Sequence, residues 1–292
     1  MYYLKKEVMN LNIDTHSQET MIHSILKYFN ISLKELNDLF FEASEKSNKD
    51  SFVDNDKLNQ VFDTFIEAHL PEQEIDQILF FHLSRRLNST YNNFNGNNLF
   101  ELLTTENPLS LFLKKHEVVF EFNSGHLELY YKDTLMPLEN TYESYVPYLR
   151  SRLGYNKGRE DYCFNGFAFK DLLYRNSYAR ELYDVPEFVG HLSTFLKCRD
   201  IGTEYFNCSK YYCIEYCVPI KKVLFDKNDK FTDIQKKLYF LNQVLHRLYD
   251  YFFTNNRYMF DHDNPILRLM DNDTMQSTYF VKSEEVTWEM LG

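Results

Sequence analysis

The stretch from Phe231 to Phe252 constrains the fold more than any other part of the sequence. Phe231, Ile234, Leu238, Leu241, Leu245, Leu248 and Phe252 step alternately by three and four residues. That spacing brings side chains to one face of an α-helix and, held this strictly, makes a heptad seam. Thr232 and Gln235 stand three residues apart at its start, as in a capping box whose two side chains satisfy backbone donors of the first turn. A seam of this kind either lies in a domain core or pairs with another helix. Phe240, Val244 and Tyr251 widen the apolar face beyond a narrow seam, which favours the core.

The first seventy residues read as three more helices. Thr15 with Gln18 looks like one capping box, followed by Ile22, Ile25, Leu26 and Phe29 at helical spacing. Ser32 with Glu35 repeats the signal ahead of Leu33, Leu36, Phe40 and Ala43. Leu58, Val61, Phe62, Phe65 and Ile66 mark a third helix that ends near His69, before Pro71, and the polar stretch Glu45 to Asp56 reads as a loop. From Glu74 the period changes. Ile78 to His82 is strand-like, Asn88 to Asn98 is a polar loop, and short helices follow at Leu99–Thr104 and Leu109–Lys115. Val118, Phe120 and Phe122 alternate, as do Leu127, Leu129 and Tyr131, with Asn123-Ser124-Gly125 between them; this is a β-hairpin pattern. Tyr142 to Leu153 reads as a helix that Pro147 would interrupt. Phe167–Leu182 and Pro186–Leu196 read as helical, Tyr211–Phe225 as a strand broken at Pro219, and Thr278–Val281 as a last strand. The expectation is an α+β fold. Residues 1–70 form a helical N-terminal subdomain. Residues 71–292 form a mixed domain, an antiparallel sheet with packed helices and the long heptad-patterned helix near its C-terminus.

Composition removes several classes of function. Hydrophobic residues are 44% and charged residues 26%, which suits a globular chain rather than a disordered one. No run approaches the roughly 20 apolar residues that span a bilayer, and Met-Tyr-Tyr-Leu-Lys-Lys-Glu at the start lacks a signal-peptide core. Cytoplasmic location is expected, and an odd number of cysteines, five, fits a reducing compartment. The net charge of −11 argues against a large phosphate-neutralising surface, and so against direct binding of nucleic acid; it suits solubility or a basic partner. Only eight glycines are present, and the nearest pair, Gly154 and Gly158, has neither the Walker spacing nor a following Lys-Ser/Thr. Phosphate-cradling loops need glycine for close backbone approach. No nucleotide cofactor of the usual kind is expected. The 26 Phe and 23 Tyr residues either reflect AT-rich codon usage or supply interface area.

Three constellations carry possible chemistry. Cys198, Cys208, Cys213 and Cys217 fall close together, yet Cys213 and Cys217 sit on a strand-like segment, where four residues span about 13 Å, too far for one zinc ion. Asp261, Asp263, Asp271 and Asp273 lack the spaced ligands and central glycine of a calcium loop, and turn chemistry explains them. No metal ligand set is expected. Phe81-His82-Leu83-Ser84-Arg85-Arg86 closes a strand, and resembles the opening of ADP-ribosyltransferase-like domains, where a strand-borne His-x-Ser/Thr precedes a short helix. In that resemblance Thr278–Val281 is the late catalytic strand, but Thr278 stands where a glutamate belongs, with Glu284 and Glu285 just beyond. The alternative is a strand end with solvent-facing arginines. Aromatics in polar loops, Tyr91, Phe94 and Tyr155, lack an obvious core and are candidate partner-binding residues, unless a folded-back loop buries them.

In length, composition and the segments Gln77–Leu87, Glu160–Phe169 and Tyr211–Pro219, the chain also resembles the phage-encoded Gabija anti-defence proteins. That resemblance implies a non-enzymatic inhibitor, acting in the host cytoplasm. Several copies would assemble around a host defence complex and keep its nuclease from engaging DNA. It transfers no functional residue.

Overall fold

The computed structural model describes residues 13–49, 52–72, 75–87, 95–139, 145–156, 161–254 and 258–292. It is an α+β fold with antiparallel sheets and one long helix toward the C-terminus. Capping chemistry fixes where the first helices begin. Helix α1 (Gln18–Phe29) starts at Ser17, whose hydroxyl accepts from the Thr20 N–H. The expected cap at Thr15 is not used: the helix begins two residues further on, and the Thr15 side chain is turned to the buried carbonyl of Ala168, to which its hydroxyl donates at 2.6 Å. Helix α2 (Leu33–Ser47) has the expected Ser32–Glu35 capping box. It runs further than its apolar stripe suggested, into the short antiparallel pair β1 (Asn48–Lys49) and β2 (Phe52–Val53). Asp54 then caps α3 (Asn55–His69).

Strand β3 (Gln77–Leu87) is longer than its apolar run, since Leu83 and Arg85 keep alternating into the interior beyond His82. Asn98 caps α4 (Leu99–Thr104), and Pro108 opens α5 (Pro108–Lys115) behind an Asn107 capping box. The hairpin forms as β4 (Val118–Asn123) and β5 (His126–Tyr131), in register from Asn123↔His126 to Val118↔Tyr131, with β6 (Thr134–Leu135) added beyond. Its two-residue turn needs positive φ at both positions, which Ser124 (54°) and Gly125 (89°) supply. Pro147 falls in the first turn of α6 (Tyr145–Arg152), where a missing N–H costs no helical bond, so it does not interrupt the helix.

The expected helix over 167–182 is corrected. Strand β7 (Asn165–Phe167) leads into extended backbone, a 3-10 turn at Leu173–Arg175 and the short α7 (Ser177–Glu181). Phe167, Ala168 and Phe169 are all buried, and a short continuous apolar run does not distinguish strand from helix. Phe169 is held extended by Asn264, which accepts from its N–H (3.0 Å) and donates to its carbonyl (2.8 Å). Helix α8 (Glu187–Phe195) follows, then α9 (Arg199–Cys208), which the sequence reading did not anticipate. Strand β8 (Ser209–Pro219) ends at its proline, and β9 (Leu224–Phe225), α10 (Asp233–Phe253), β10 (Ile266–Arg268), β11 (Phe280–Glu285) and α11 (Trp288–Leu291) complete the chain. The largest sheet has the strand order β11-β8-β3-β7-β10-β9.

The chain divides into two units. The first takes residues up to Phe81, with Phe167–Asn176 and Cys217–Leu267; the second takes His82–Gly166, Ser177–Tyr216 and Arg268–Gly292. Helix α10 is the axis of the first unit. It packs on α1, α2 and α3, and Phe240, Leu241, Val244, Leu245, Leu248 and Tyr249 are all buried. The middle of the heptad seam (Leu241, Leu245, Leu248) is therefore core, whereas Ile234 at its start is 67% exposed and Phe252 at its end is only half-buried. The second unit has its own core, in which Leu113, Leu127, Leu129, Leu149, Leu192 and Ile201 gather from α5, β5, α6, α8 and α9, with Leu153 from the turn after α6.

Candidate functional site

Alternation along β3 puts His82, Ser84 and Arg86 on one face of the strand and Leu83 and Arg85 on the other. His82 is half-buried. Its Nδ1–H donates to the Asn165 carbonyl at 2.7 Å, and its ring stacks on Phe164 with centroids 4.0 Å apart. A carbonyl can only accept, so this bond fixes the tautomer and leaves the lone pair on Nε2. No described residue donates to it. Burial, and secondarily the Arg86 guanidinium, push the imidazole pKa down to about 3. At neutral pH His82 is an uncharged acceptor and a weak base, far from the pKa that suits a general base.

This arrangement has a measurable consequence. The unfolded imidazole takes up its proton near pH 6.5 and the folded one only near 3. Stability contributed by the neutral ring is whole above pH 6.5 and is lost as the pH falls through that window, by at most about 1.4 kcal/mol per pH unit. His246, pushed down to about 4 by burial, acts in the same direction, whereas Asp250, raised to about 6 by burial and then by Asp263, acts against it. Comparing wild type with His82→Gln isolates the first contribution. Urea titrations at pH 7.5 and 5.0 should show the variant losing less stability on acidification. Equal losses would mean that His82 takes up its proton while folded.

The two arginines of this segment do not face solvent together. Arg86 lies half-buried and bonds the Tyr216 side chain. Arg85 is 7% exposed and is wrapped by backbone. Its Nε–H donates to Ser209 Oγ (3.0 Å), Nη1 to the Tyr183 carbonyl (2.5 Å), and Nη2 to the carbonyls of Phe206 (3.0 Å) and Ser209 (2.9 Å). On the late strand, Thr278 falls in a 3-10 turn and β11 begins at Phe280, so Glu284 and Glu285 are strand residues rather than lying beyond it. Glu285 is held by Lys210 at 2.8 Å.

The other candidates separate. Cys198 precedes α9 and Cys208 is its last residue, exposed, while Cys213 and Cys217 are buried on β8. The Cys217 thiol donates to Gln77 Oε1 at 3.1 Å. In the first unit Asp263 Oδ2 accepts from the Phe260 N–H three residues before it, a turn-type bond; in the second, Asp271 Oδ1 accepts from the Tyr162 N–H, a bond between distant parts of the chain that turn chemistry does not explain. Among the described residues no three His, Cys, Asp or Glu side chains converge as a metal site, and no helix is long and apolar enough to cross a membrane. Tyr91 and Phe94 lie outside the described residues. Tyr155 sits at the edge of the second unit's core, its ring against His126 (4.0 Å) and under the Arg150 guanidinium (4.9 Å). A cavity of about 190 Å³ lies among α4, α5 and β4, but its Thr105 and Ser110 hydroxyls donate to the local carbonyls of Glu101 and Asn107.

A surface feature went unread in the sequence. On the first unit Phe41 of α2 and Phe253 of α10 are 56% and 45% exposed. They meet Phe252 edge to face, with Phe41–Phe252 at 5.0 Å, Phe252–Phe253 at 4.9 Å and Phe41–Phe253 at 6.4 Å. Phe40 and Tyr249 support this cluster from beneath. The available signal was Phe40-Phe41, where only the first residue belongs to the buried stripe. Comparison of the chain with protein-family models, curated proteins and solved structures gives no match.

Proposed function

We propose that this chain acts by binding protein, as an anti-defence inhibitor. It oligomerises around a host antiphage nuclease complex in the host cytoplasm and blocks DNA engagement sterically. The observation that carries the binding part is the Phe41–Phe252–Phe253 cluster, three aromatic rings gathered at a surface of an otherwise well-filled unit. Apolar area left in water forgoes about 25 cal/mol per Å², and contiguous aromatic surface is typical of contact sites. The acidic charge and the weak basicity of His82 agree with this reading. Size-exclusion chromatography with light scattering, on the chain alone and with the nuclease complex, tests it alongside DNA cleavage by that complex. The expected result is an oligomer that co-elutes and suppresses cleavage. A strict monomer that never co-elutes would sink it.

One observation favours a second reading, an ADP-ribosyltransferase-like activity: the fixed tautomer of His82, with Nε2 unengaged among the described residues. Incubation with labelled NAD decides. Label transfer that disappears in His82→Ala would replace the binding reading.

A further inference from the structure

The outward stripe of α2 carries more than Phe41. Asp38, Phe41, Glu42 and Glu45 follow at spacings of three and four, so they lie on one helix face, and all four are exposed. The aromatic cluster is therefore flanked by three carboxylates. One of them, Glu42, is shared with Lys46. The chain as a whole is acidic, at −11. Exposed Phe rings attract cations through their faces, and carboxylates beside them add ion pairs that steer a positive partner into register. A neutral partner gains from the rings alone, and an acidic one is repelled by their rim.

From this complementarity we infer that the Phe41–Phe252–Phe253 cluster and the α2 carboxylates form a docking surface for a basic amphipathic helix of a protein partner. The helix would lay its apolar side on the rings and its lysines or arginines against Asp38, Glu42 and Glu45. The inference rests on the binding reading above and gives it a location and a partner chemistry. Because Phe41 and the three acids are exposed, replacing them leaves the α10 core intact.

The test uses a fluorescein-labelled helical peptide with leucines on one face and lysines on the other, and the same peptide with every lysine replaced by glutamate. Fluorescence anisotropy is read against wild type, against the Asp38→Lys/Glu42→Lys/Glu45→Lys variant and against Phe41→Ala/Phe253→Ala. The lysine peptide should bind wild type, weaken with added salt and lose about tenfold or more in affinity on each variant. The glutamate peptide should not bind. Failure of wild type to bind the lysine peptide would overturn the inference. So would variants that bind the lysine peptide as tightly as wild type, which would place the contact elsewhere on an acidic surface. Circular dichroism confirms that the variants are folded. Co-elution of wild type and variants with the nuclease complex separates the two proposals. Equal capture by all three removes this surface and leaves the binding reading standing, whereas no capture of wild type removes the binding reading.

Discussion

Replacing Arg247 with alanine is expected to destabilise the fold by about 3–5 kcal/mol, the range for breaking a buried ion pair from one side. Arg247 and Asp171 are 2% and 8% exposed in their side chains, and Nε donates to Oδ2 at 3.0 Å. The Tyr251 hydroxyl donates to the same oxygen at 2.6 Å and accepts from Arg247 Nη2 at 3.1 Å. Its hydroxyl is held protonated, with the pKa raised by burial and by the bond to Asp171. Three groups thus satisfy one another, with the guanidinium and the carboxylate buried and the Tyr251 ring half-buried. Removing the guanidinium strands a buried carboxylate with one neutral donor, and that desolvation cost dominates the loss. The double replacement Asp171→Leu/Arg247→Met should recover much of it, because a pair taken out together leaves no orphan charge. Tyr251→Phe should cost less, about 1.5–3 kcal/mol for a hydrogen bond to a charged acceptor. Urea unfolding followed by circular dichroism measures all three. An Arg247→Ala variant within about 1 kcal/mol of wild type would show that solvent reaches the site.

That ion pair also marks how far the sequence could be read. The period of α10 announced a helix and its apolar face, and the Thr232 cap announced where it begins. Alternation on both sides of Asn123-Ser124-Gly125 announced the hairpin and its turn. These are local signals, decided by residues a few positions apart. Asp171 and Arg247 meet across 76 positions, and Arg85 and Ser209 across 124. No periodicity encodes such partners, so a strand-end arginine read as solvated was in fact enclosed. Thr15 shows the same limit: its side chain is tied to Ala168, far along the chain, and the helix starts at Ser17 instead. His82 was legible as a strand-borne residue, but its neutrality is set by Phe164 and Asn165, which only the fold brings near. Phe41 was visible as an aromatic and invisible as a surface, because the stripe of α2 fixes which ring is buried without showing what lies beside the other.

Arg85 gives the companion case, a buried cation that donates to a hydroxyl and three backbone carbonyls. Its guanidinium lies over the Phe206 ring at 4.1 Å and near Tyr183 at 5.5 Å, so the charge is also offset by ring faces. Burial lowers its pKa from the usual arginine value, yet an arginine stays charged in proteins. The donors reach the chain before α8, the last turn of α9 and the first residue of β8, which makes the side chain a fork holding three segments of the second unit. Arg85→Leu keeps apolar volume but removes a donor from the carbonyls of Tyr183, Phe206 and Ser209, of which Phe206 still accepts from the Ser209 N–H. It is expected to cost about 3–5 kcal/mol. Arg85→Lys keeps the charge and loses the planar fork; one ammonium cannot serve every acceptor, and about 2–3 kcal/mol should be lost. Amide exchange distinguishes this from a general loosening. Protection should fall first around the junction of α9 and β8, where Tyr211 and its neighbours are tied, and only later in the β4–β5 hairpin. Uniform loss of protection across the second unit, or an Arg85→Leu variant as stable as wild type, would show that packing rather than the fork joins these segments.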